Sequence, residues 1–172
     1  ACLVAIMSMG LGYHESSESN LHKCTVQNQN KTPVITSAGA LITGLKGLNA
    51  RKIALLCPYM KNLAKTVVNY ISNEGFEVCD WHTLQIPNNL DVAAHDPKNL
   101  IDHACNLKLD DVDVIVVSAC VQMPSLSIIP KLEQITQKPV ISAAVCTVYS
   151  MLKSLNLEPI VPDAGTLLAG DY

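Results

Sequence analysis

The chain has 172 residues, of which 49% are hydrophobic and 16% charged, and its formal net charge at pH 7 is -3. This composition excludes a disordered chain, which needs low hydrophobicity and high net charge. One arginine and 4% aromatic residues argue against a phosphate-tracking or base-stacking surface, so we expect no nucleic-acid partner. No apolar run reaches the roughly 20 residues that span a bilayer, so we expect no membrane partner.

Short apolar runs alternate with segments of helical periodicity along the middle of the chain. Buried parallel strands produce such runs, which here cover residues 52–57, 76–79, 112–118 and 139–142. Helices are predicted over 60–74, ending at a Gly75 cap, over 97–107, over 125–136 and, as an exposed helix, over 15–31. The alternation predicts a doubly wound α/β sheet, which binds ligands at the carboxyl ends of its strands.

The sequence contains an internal repeat. Residues 33–38 match residues 139–144, and residues 45–49 match residues 152–156. Each copy is predicted to form a strand followed by a helix, and each is preceded by a cysteine that follows alanine, Cys2 or Cys120. The order of these features predicts two pseudo-symmetric halves. Because an apolar run precedes Cys120 and only one residue precedes Cys2, we expect the strand that delivers Cys2 to lie upstream and the first half to be incomplete.

The placement of Cys2 and Cys120 indicates that their thiols act on a substrate. Cys120 follows a predicted strand and precedes a loop that enters a helix, and helix N-termini stabilise thiolates and bind anions. Two thiols that face each other across a cleft could racemise or isomerise one substrate, or add to it and then eliminate. The alternative for each is a buried structural thiol. Core packing is predicted for the remaining cysteines, Cys24, Cys57, Cys79, Cys105 and Cys146.

Other signals are weaker. Tyr59 and Asn89 follow predicted strands, where they could face the cleft or serve as turn residues. The sequence has no CxxC, HExxH or Walker A motif, and the glycines of Gly10-Leu11-Gly12 lack the third glycine of a dinucleotide site. We therefore predict no metal and no cofactor. The widely spaced cysteines are typical of a reduced, cytoplasmic protein.

The sequence resembles the maleate cis-trans isomerases in four segments, residues 1–7, 58–61, 67–70 and 118–126. These enzymes belong to the Asp/Glu racemase superfamily, as does arylmalonate decarboxylase, and the resemblance extends over essentially the whole chain. It implies two doubly wound parallel-sheet halves. Residues 151–172 would return to the first half and join residues 1–50, and residues 51–150 would form the second half.

The resemblance also implies roles for individual residues. Cys2 would be the nucleophile that adds to maleate, and Cys120 the partner acid and base. Tyr59 and Asn89 would hold the substrate carboxylates, together with the backbone N–H groups of four residues, Leu3, Val4, Val121 and Gln122. Rotation of the adduct and loss of the thiolate would give fumarate without a cofactor.

We therefore expect a small dicarboxylate as substrate, and a homo-oligomer. Two alternatives stay open at this point. One is a racemase or decarboxylase of a related small diacid, and the other is a non-catalytic fragment that binds a dicarboxylate.

Overall fold

Strands and helices alternate along the chain as the sequence predicts. The computed structural model describes residues 4–6 and 34–170, with residues 4–6 and 34 described by their backbone alone. The helix predicted over 15–31 lies outside the described residues. The described elements are, in order, β1 (Val4–Ile6), β2 (Val34–Thr36), α1 (Ser37–Gly47), β3 (Lys52–Cys57), α2 (Lys61–Asn73), β4 (Glu77–Thr83), α3 (Asn89–Ala93), α4 (Pro97–Cys105), β5 (Val114–Ser118), α5 (Ile129–Thr136), β6 (Val140–Ser142) and α6 (Ala143–Ser154).

The described strands form two parallel sheets. One pairs β1 with β2, and the other has the strand order β4-β3-β5-β6. Because all four strands of the larger sheet are parallel, their carboxyl ends meet at one edge. The parallel α/β architecture is confirmed. The larger sheet draws its strands from residues 52–142 and the smaller from residues 4–36, and the division of the chain into halves at residues 50 and 151 stays a prediction.

Burial explains which strands the sequence reveals most clearly. In β3 every residue from Ile53 to Cys57 is buried, and all of β5 is buried, because these two strands are central and covered on both faces. β4 is an edge strand, and its residues alternate between exposed and partly buried. Cys79 is therefore exposed, as is Cys105 at the end of α4, so the prediction of core packing is wrong for both. It is confirmed for Cys57 and Cys146, and Cys24 lies outside the described residues.

Both copies of the repeat form the same local structure. In each copy a three-residue strand runs directly into a helix, and the last strand residue caps that helix through its hydroxyl. Thr36 accepts a hydrogen bond from the N–H of Gly39 at 3.1 Å, and Ser142 accepts one from the N–H of Val145 at 3.3 Å. Beyond each helix an asparagine, Asn49 or Asn156, has a positive φ.

The two repeat helices pack against each other. A Cβ atom added at Gly44 of α1 would lie 2.5 Å from the sulfur of Cys146 in α6, so only glycine allows this approach. The C-terminal segment contacts both repeats. Leu167 lies beside Gly44 of the first copy, and Glu133 of α5 accepts hydrogen bonds from both the N–H of Thr166 and the N–H of Val140 in the second copy. That segment's assignment to the first half stays a prediction.

Candidate functional site

The carboxyl edge of the larger sheet brings together the ends of four strands. β3 ends at Cys57, β4 at Thr83, β5 at Ser118 and β6 at Ser142. Cys120 lies two residues beyond β5 and is buried, with 9% of its surface exposed. The structure therefore places Cys120 where a doubly wound sheet binds its ligands.

The backbone around Cys120 is held by the side chain of Ser118. The Ser118 hydroxyl donates a hydrogen bond to the carbonyl oxygen of Cys120 at 2.6 Å and accepts one from the Cys120 N–H at 3.0 Å. The same carbonyl oxygen accepts the N–H of Met123 at 3.4 Å. The loop that starts at Cys120 is thus a tight turn with a defined backbone.

The next two residues of this loop present donors. In the described part of the chain, neither the backbone N–H of Val121 nor that of Gln122 donates a hydrogen bond. Val121 is partly exposed and Gln122 is exposed, so both groups lie near solvent. Consecutive free N–H groups attract an anion such as a carboxylate. The side chain of Gln122 also approaches the thiol, with its Oε1 4.0 Å from the sulfur of Cys120.

Tyr59 joins the end of β3 to the Cys120 loop. Its hydroxyl donates to the carbonyl oxygen of Ala119 at 3.1 Å, and its own carbonyl oxygen accepts a hydrogen bond from the Thr83 hydroxyl. Burial raises the pKa of the Tyr59 hydroxyl well above its ordinary value, and the neighbouring Cys120 and Cys57 raise it further. Tyr59 therefore keeps its proton and can act as a hydrogen-bond donor throughout the working pH range.

Cys57 is a second thiol at this edge. It is fully buried, and its sulfur lies 3.9 Å from the carbonyl oxygen of His82. Burial raises the pKa of the Cys57 thiol to about 11, although hydrogen bonds from Thr83 and the Tyr59 backbone lower it in part. Because a thiol of this kind stays protonated near neutral pH, Cys57 is a poor nucleophile and packs as a small apolar residue.

A cavity of about 560 Å³ adjoins the Cys120 loop. The residues of the loop that line it include Val121, Met123 and Ser125, and Ala144 and Asp163 lie among its other walls. Cys120, Gln122 and Tyr59 are not among the described residues that line it, so the cavity lies beside the loop and not over the thiol. Within residues 4–6 and 34–170 there is no cluster of three or more His, Cys, Asp or Glu side chains that could hold a metal ion.

For the other predicted site residues, the structure gives only part of the position or none of the predicted contacts. Cys2 and Leu3 lie outside the described residues, and only the backbone of Val4 is described. That backbone begins β1, so the described strand follows Cys2, whereas β5 precedes Cys120. Asn89 is exposed at the start of α3, and among the described residues no hydrogen bond links its side chain to Tyr59 or Cys120. The substrate contacts of Asn89 and the pairing of Cys2 with Cys120 stay predictions.

The sequence did not identify two residues that shape this site. Thr83 holds the backbone of Tyr59, and Ser118 holds that of Cys120. Both are hydroxyl residues at the last position of a strand, immediately next to the edge where ligands bind. For Ser118, the last residue of the strand predicted over 112–118, that position is a signal in the sequence, whereas Thr83 lies beyond the strand predicted over 76–79 and has no such signal.

Comparisons with known proteins place the chain among enzymes. The family model described as arylmalonate decarboxylase matches residues 1–168. A maleate isomerase of Pseudomonas putida is 58% identical over all 172 residues, which span 69% of that relative. A maleate isomerase of Geobacillus stearothermophilus is 54% identical over 172 residues, which span 68% of it.

The fold is also similar to those of solved structures. The maleate cis-trans isomerase of Nocardia farcinica, as a mutant with a covalently bound succinylcysteine intermediate, has a TM-score of 0.92 and 39% identity. The match covers 99% of this chain and 71% of that one. Arylmalonate decarboxylase has a TM-score of 0.82 at 20% identity, with 98% of this chain and 75% of that chain covered. The likeness to the decarboxylase shows the shared fold alone. No helix in the described ranges is both long and apolar enough to cross a membrane.

Proposed function

The chain belongs to the maleate isomerase family, and we propose on that basis that it converts maleate to fumarate through a covalent cysteine adduct, without a cofactor. One observation in the structure carries the proposal. The buried Cys120 is followed by the N–H groups of Val121 and Gln122, which donate no hydrogen bond within the described residues, and the Tyr59 hydroxyl is bonded to Ala119, the residue before Cys120. The loop after β5 can thus supply a proton donor and carboxylate ligands, and Tyr59, which follows β3, adds a hydroxyl beside it.

The covalent step is assigned to Cys2. Its thiolate forms a bond to one alkene carbon of maleate, and the electron pair of the double bond moves to the other alkene carbon. That carbon takes the proton of the Cys120 thiol, which gives a succinyl thioether on Cys2. A covalent succinylcysteine intermediate in the Nocardia farcinica relative supports this step.

Rotation and elimination complete the reaction. The former double bond is now a single bond, so one carboxylate rotates to the opposite side. The Cys120 thiolate then removes, as a proton, one of the two hydrogens on the carbon that it had protonated, the double bond forms again, and the bond between Cys2 and carbon breaks. No electron or proton is gained or lost overall, because Cys120 gives one proton and takes one proton back, and Cys2 leaves as a thiolate.

The loop around Cys120 stabilises the charge that develops during addition. As the electron pair moves next to a carboxylate, negative charge spreads onto its oxygens. Hydrogen-bond donors that are fixed in place before the reaction stabilise such charge strongly. The N–H groups of Val121 and Gln122 supply such donors, and the Tyr59 hydroxyl adds one when it turns from Ala119 to the substrate. A dianion can be held in this way in a chain with one arginine.

The proposal is tested by following maleate and fumarate by proton NMR with the wild-type protein, Cys2→Ser and Cys120→Ser. Serine keeps the shape of cysteine but ionises far less readily. We expect Cys2→Ser to lose at least about 10²-fold to 10⁴-fold of the activity, as is usual for a lost catalytic group. Cys120→Ser should lose less, because water or the hydroxyl can still transfer a proton slowly.

A matched control removes a thiol outside the site. Cys105→Ser changes an exposed cysteine at the end of α4 and should leave the rate unchanged. No fumarate from the wild-type protein would refute the proposed activity. Near-normal turnover by Cys2→Ser would refute the assignment of the nucleophile.

A further inference from the structure

The hydroxyl of Ser118 is engaged entirely with one neighbouring residue. Ser118 is fully buried, and its hydroxyl bonds to both the N–H and the carbonyl oxygen of Cys120. A hydroxyl has one proton to donate, and Ser118 gives it to Cys120. We call this pair of hydrogen bonds the Ser118 clasp.

The clasp fixes the backbone on both sides of the Cys120 Cα atom. The N–H of Cys120 belongs to the peptide group before Cα, and the carbonyl oxygen belongs to the peptide group after it. With both groups tied to one side chain, the direction of the Cys120 Cβ and sulfur is set. The following peptide group carries the N–H of Val121, so the clasp also orients the first free donor of the loop.

We infer that Ser118 is a positioning residue, whose clasp holds the Cys120 loop in the form that aims the thiol and the Val121 and Gln122 N–H groups at one carboxylate-bearing ligand. The inference rests on the proposed function for the identity of that ligand. The clasp also occupies the N–H of Cys120. The loop therefore offers its anion site through residues 121 and 122 alone.

A comparison with the adjacent strand shows that the clasp is specific to β5. Ser118 pairs in register with Ser142 of β6, and both serines are fully buried at the carboxyl end of their strands. The Ser142 hydroxyl instead caps α6 through the N–H of Val145. Ser142→Ala therefore provides a control with the same chemical change, the same burial and no bond to Cys120.

The test measures how fast iodoacetamide alkylates Cys120, with the modified peptide quantified by mass spectrometry. In Ser118→Ala we expect at least about threefold faster alkylation, because a thiol that is 9% exposed gains access when the loop loosens. Maleate should protect Cys120, and the half-protecting concentration should rise about tenfold in this variant, as expected for one lost interaction. Ser142→Ala should lower the melting temperature but leave the alkylation rate and the half-protecting maleate concentration as in wild type. Ser118→Thr keeps the hydroxyl and should restore them.

The results separate positioning from stability and from the proposed function. Unchanged alkylation in Ser118→Ala, or equal changes in Ser142→Ala, would overturn the inference. If Ser118→Ala does not fold, Ser118→Cys replaces the hydroxyl by a weaker hydrogen-bonding group of similar size and is measured in the same way. If maleate fails to protect the wild-type protein, the proposed function fails, and the alkylation rates still decide whether the clasp positions Cys120.

Discussion

At the scale of single residues, Tyr59 has one proton to share between the protein and a ligand. In the structure its hydroxyl donates that proton to the carbonyl oxygen of Ala119. A substrate carboxylate is a stronger acceptor than a neutral carbonyl, because it carries charge. We therefore expect the hydroxyl to turn from Ala119 to the carboxylate when substrate binds. The raised pKa of Tyr59 keeps this donor protonated in both states.

Tyr59→Phe tests this exchange. The variant lacks the donor but keeps the ring, so KM for maleate should rise about tenfold, the equivalent of a single hydrogen bond to a charged group. The effect on kcat should be smaller if the bond is equally strong in the bound and transition states. Steady-state kinetics over a range of maleate concentrations measure both constants. An unchanged KM would show that the Tyr59 hydroxyl does not bind the substrate and keeps its hydrogen bond to Ala119.

At the scale of elements, the repeat explains how two strand–helix units fit together. The helices α1 and α6 meet where Gly44 leaves room for Cys146, and Gly47 leaves room for the Tyr149 hydroxyl. In both copies a hydroxyl residue caps the helix directly after its strand. The short sequence match between the copies therefore specifies a strand, a cap and a helix.

Gly44→Ala should destabilise the protein by about 1–3 kcal/mol, the usual cost of overpacking a close contact. The added Cβ would lie 2.5 Å from the Cys146 sulfur and 3.1 Å from Leu167. Urea unfolding measures the loss, and the double variant Gly44→Ala with Cys146→Ala should recover part of it. Thr43→Ala, an exposed change on the same helix, is the control. A Gly44→Ala protein as stable as wild type would contradict this packing.

The sequence predicts a strand more accurately when the strand is buried on both faces. β3 is predicted to its last residue, because a strand buried on both faces is a continuous apolar run. β4 was predicted only to Cys79 and extends to Thr83, because an edge strand mixes polar with apolar residues. The five-residue helix α3 was not predicted, since so short a segment shows little periodicity. The region predicted as one helix over 125–136 begins with a 3₁₀ turn at Leu126–Ile128 before α5.

The candidate site was predictable in part for a similar reason. Cys120 and Tyr59 follow apolar strands, so their place at the carboxyl edge could be inferred from the sequence. The end of a predicted strand marks Ser118 but not the bonds of its hydroxyl, which depend on how the backbone turns after β5. The bond of Thr83 to Tyr59 depends on the pairing of β3 with β4, which the sequence does not show. Exposure of Cys79 likewise depends on which strand lies at the edge of the sheet.

At the scale of the whole molecule, the fold places the Cys120 loop at the edge of a buried parallel sheet. The central strands β3 and β5 are rigid supports, and Tyr59 and Cys120 extend from their ends. Sites built on rigid elements hold their reacting groups in a fixed geometry. In the proposed reaction this support lets one loop stabilise the addition and the elimination without rearranging between them.

The proposed reaction passes through a covalent adduct on Cys2. It is tested most directly by quenching the protein with acid during turnover of maleate and mapping the modified peptides by mass spectrometry. We predict an added mass of one maleate on the peptide that contains Cys2, at a higher level in Cys120→Ser, where elimination is slower. The exposed Cys79 and Cys105 report non-enzymatic addition in the same sample. Fumarate formation with no adduct on Cys2 above that background, in either protein, would contradict the account.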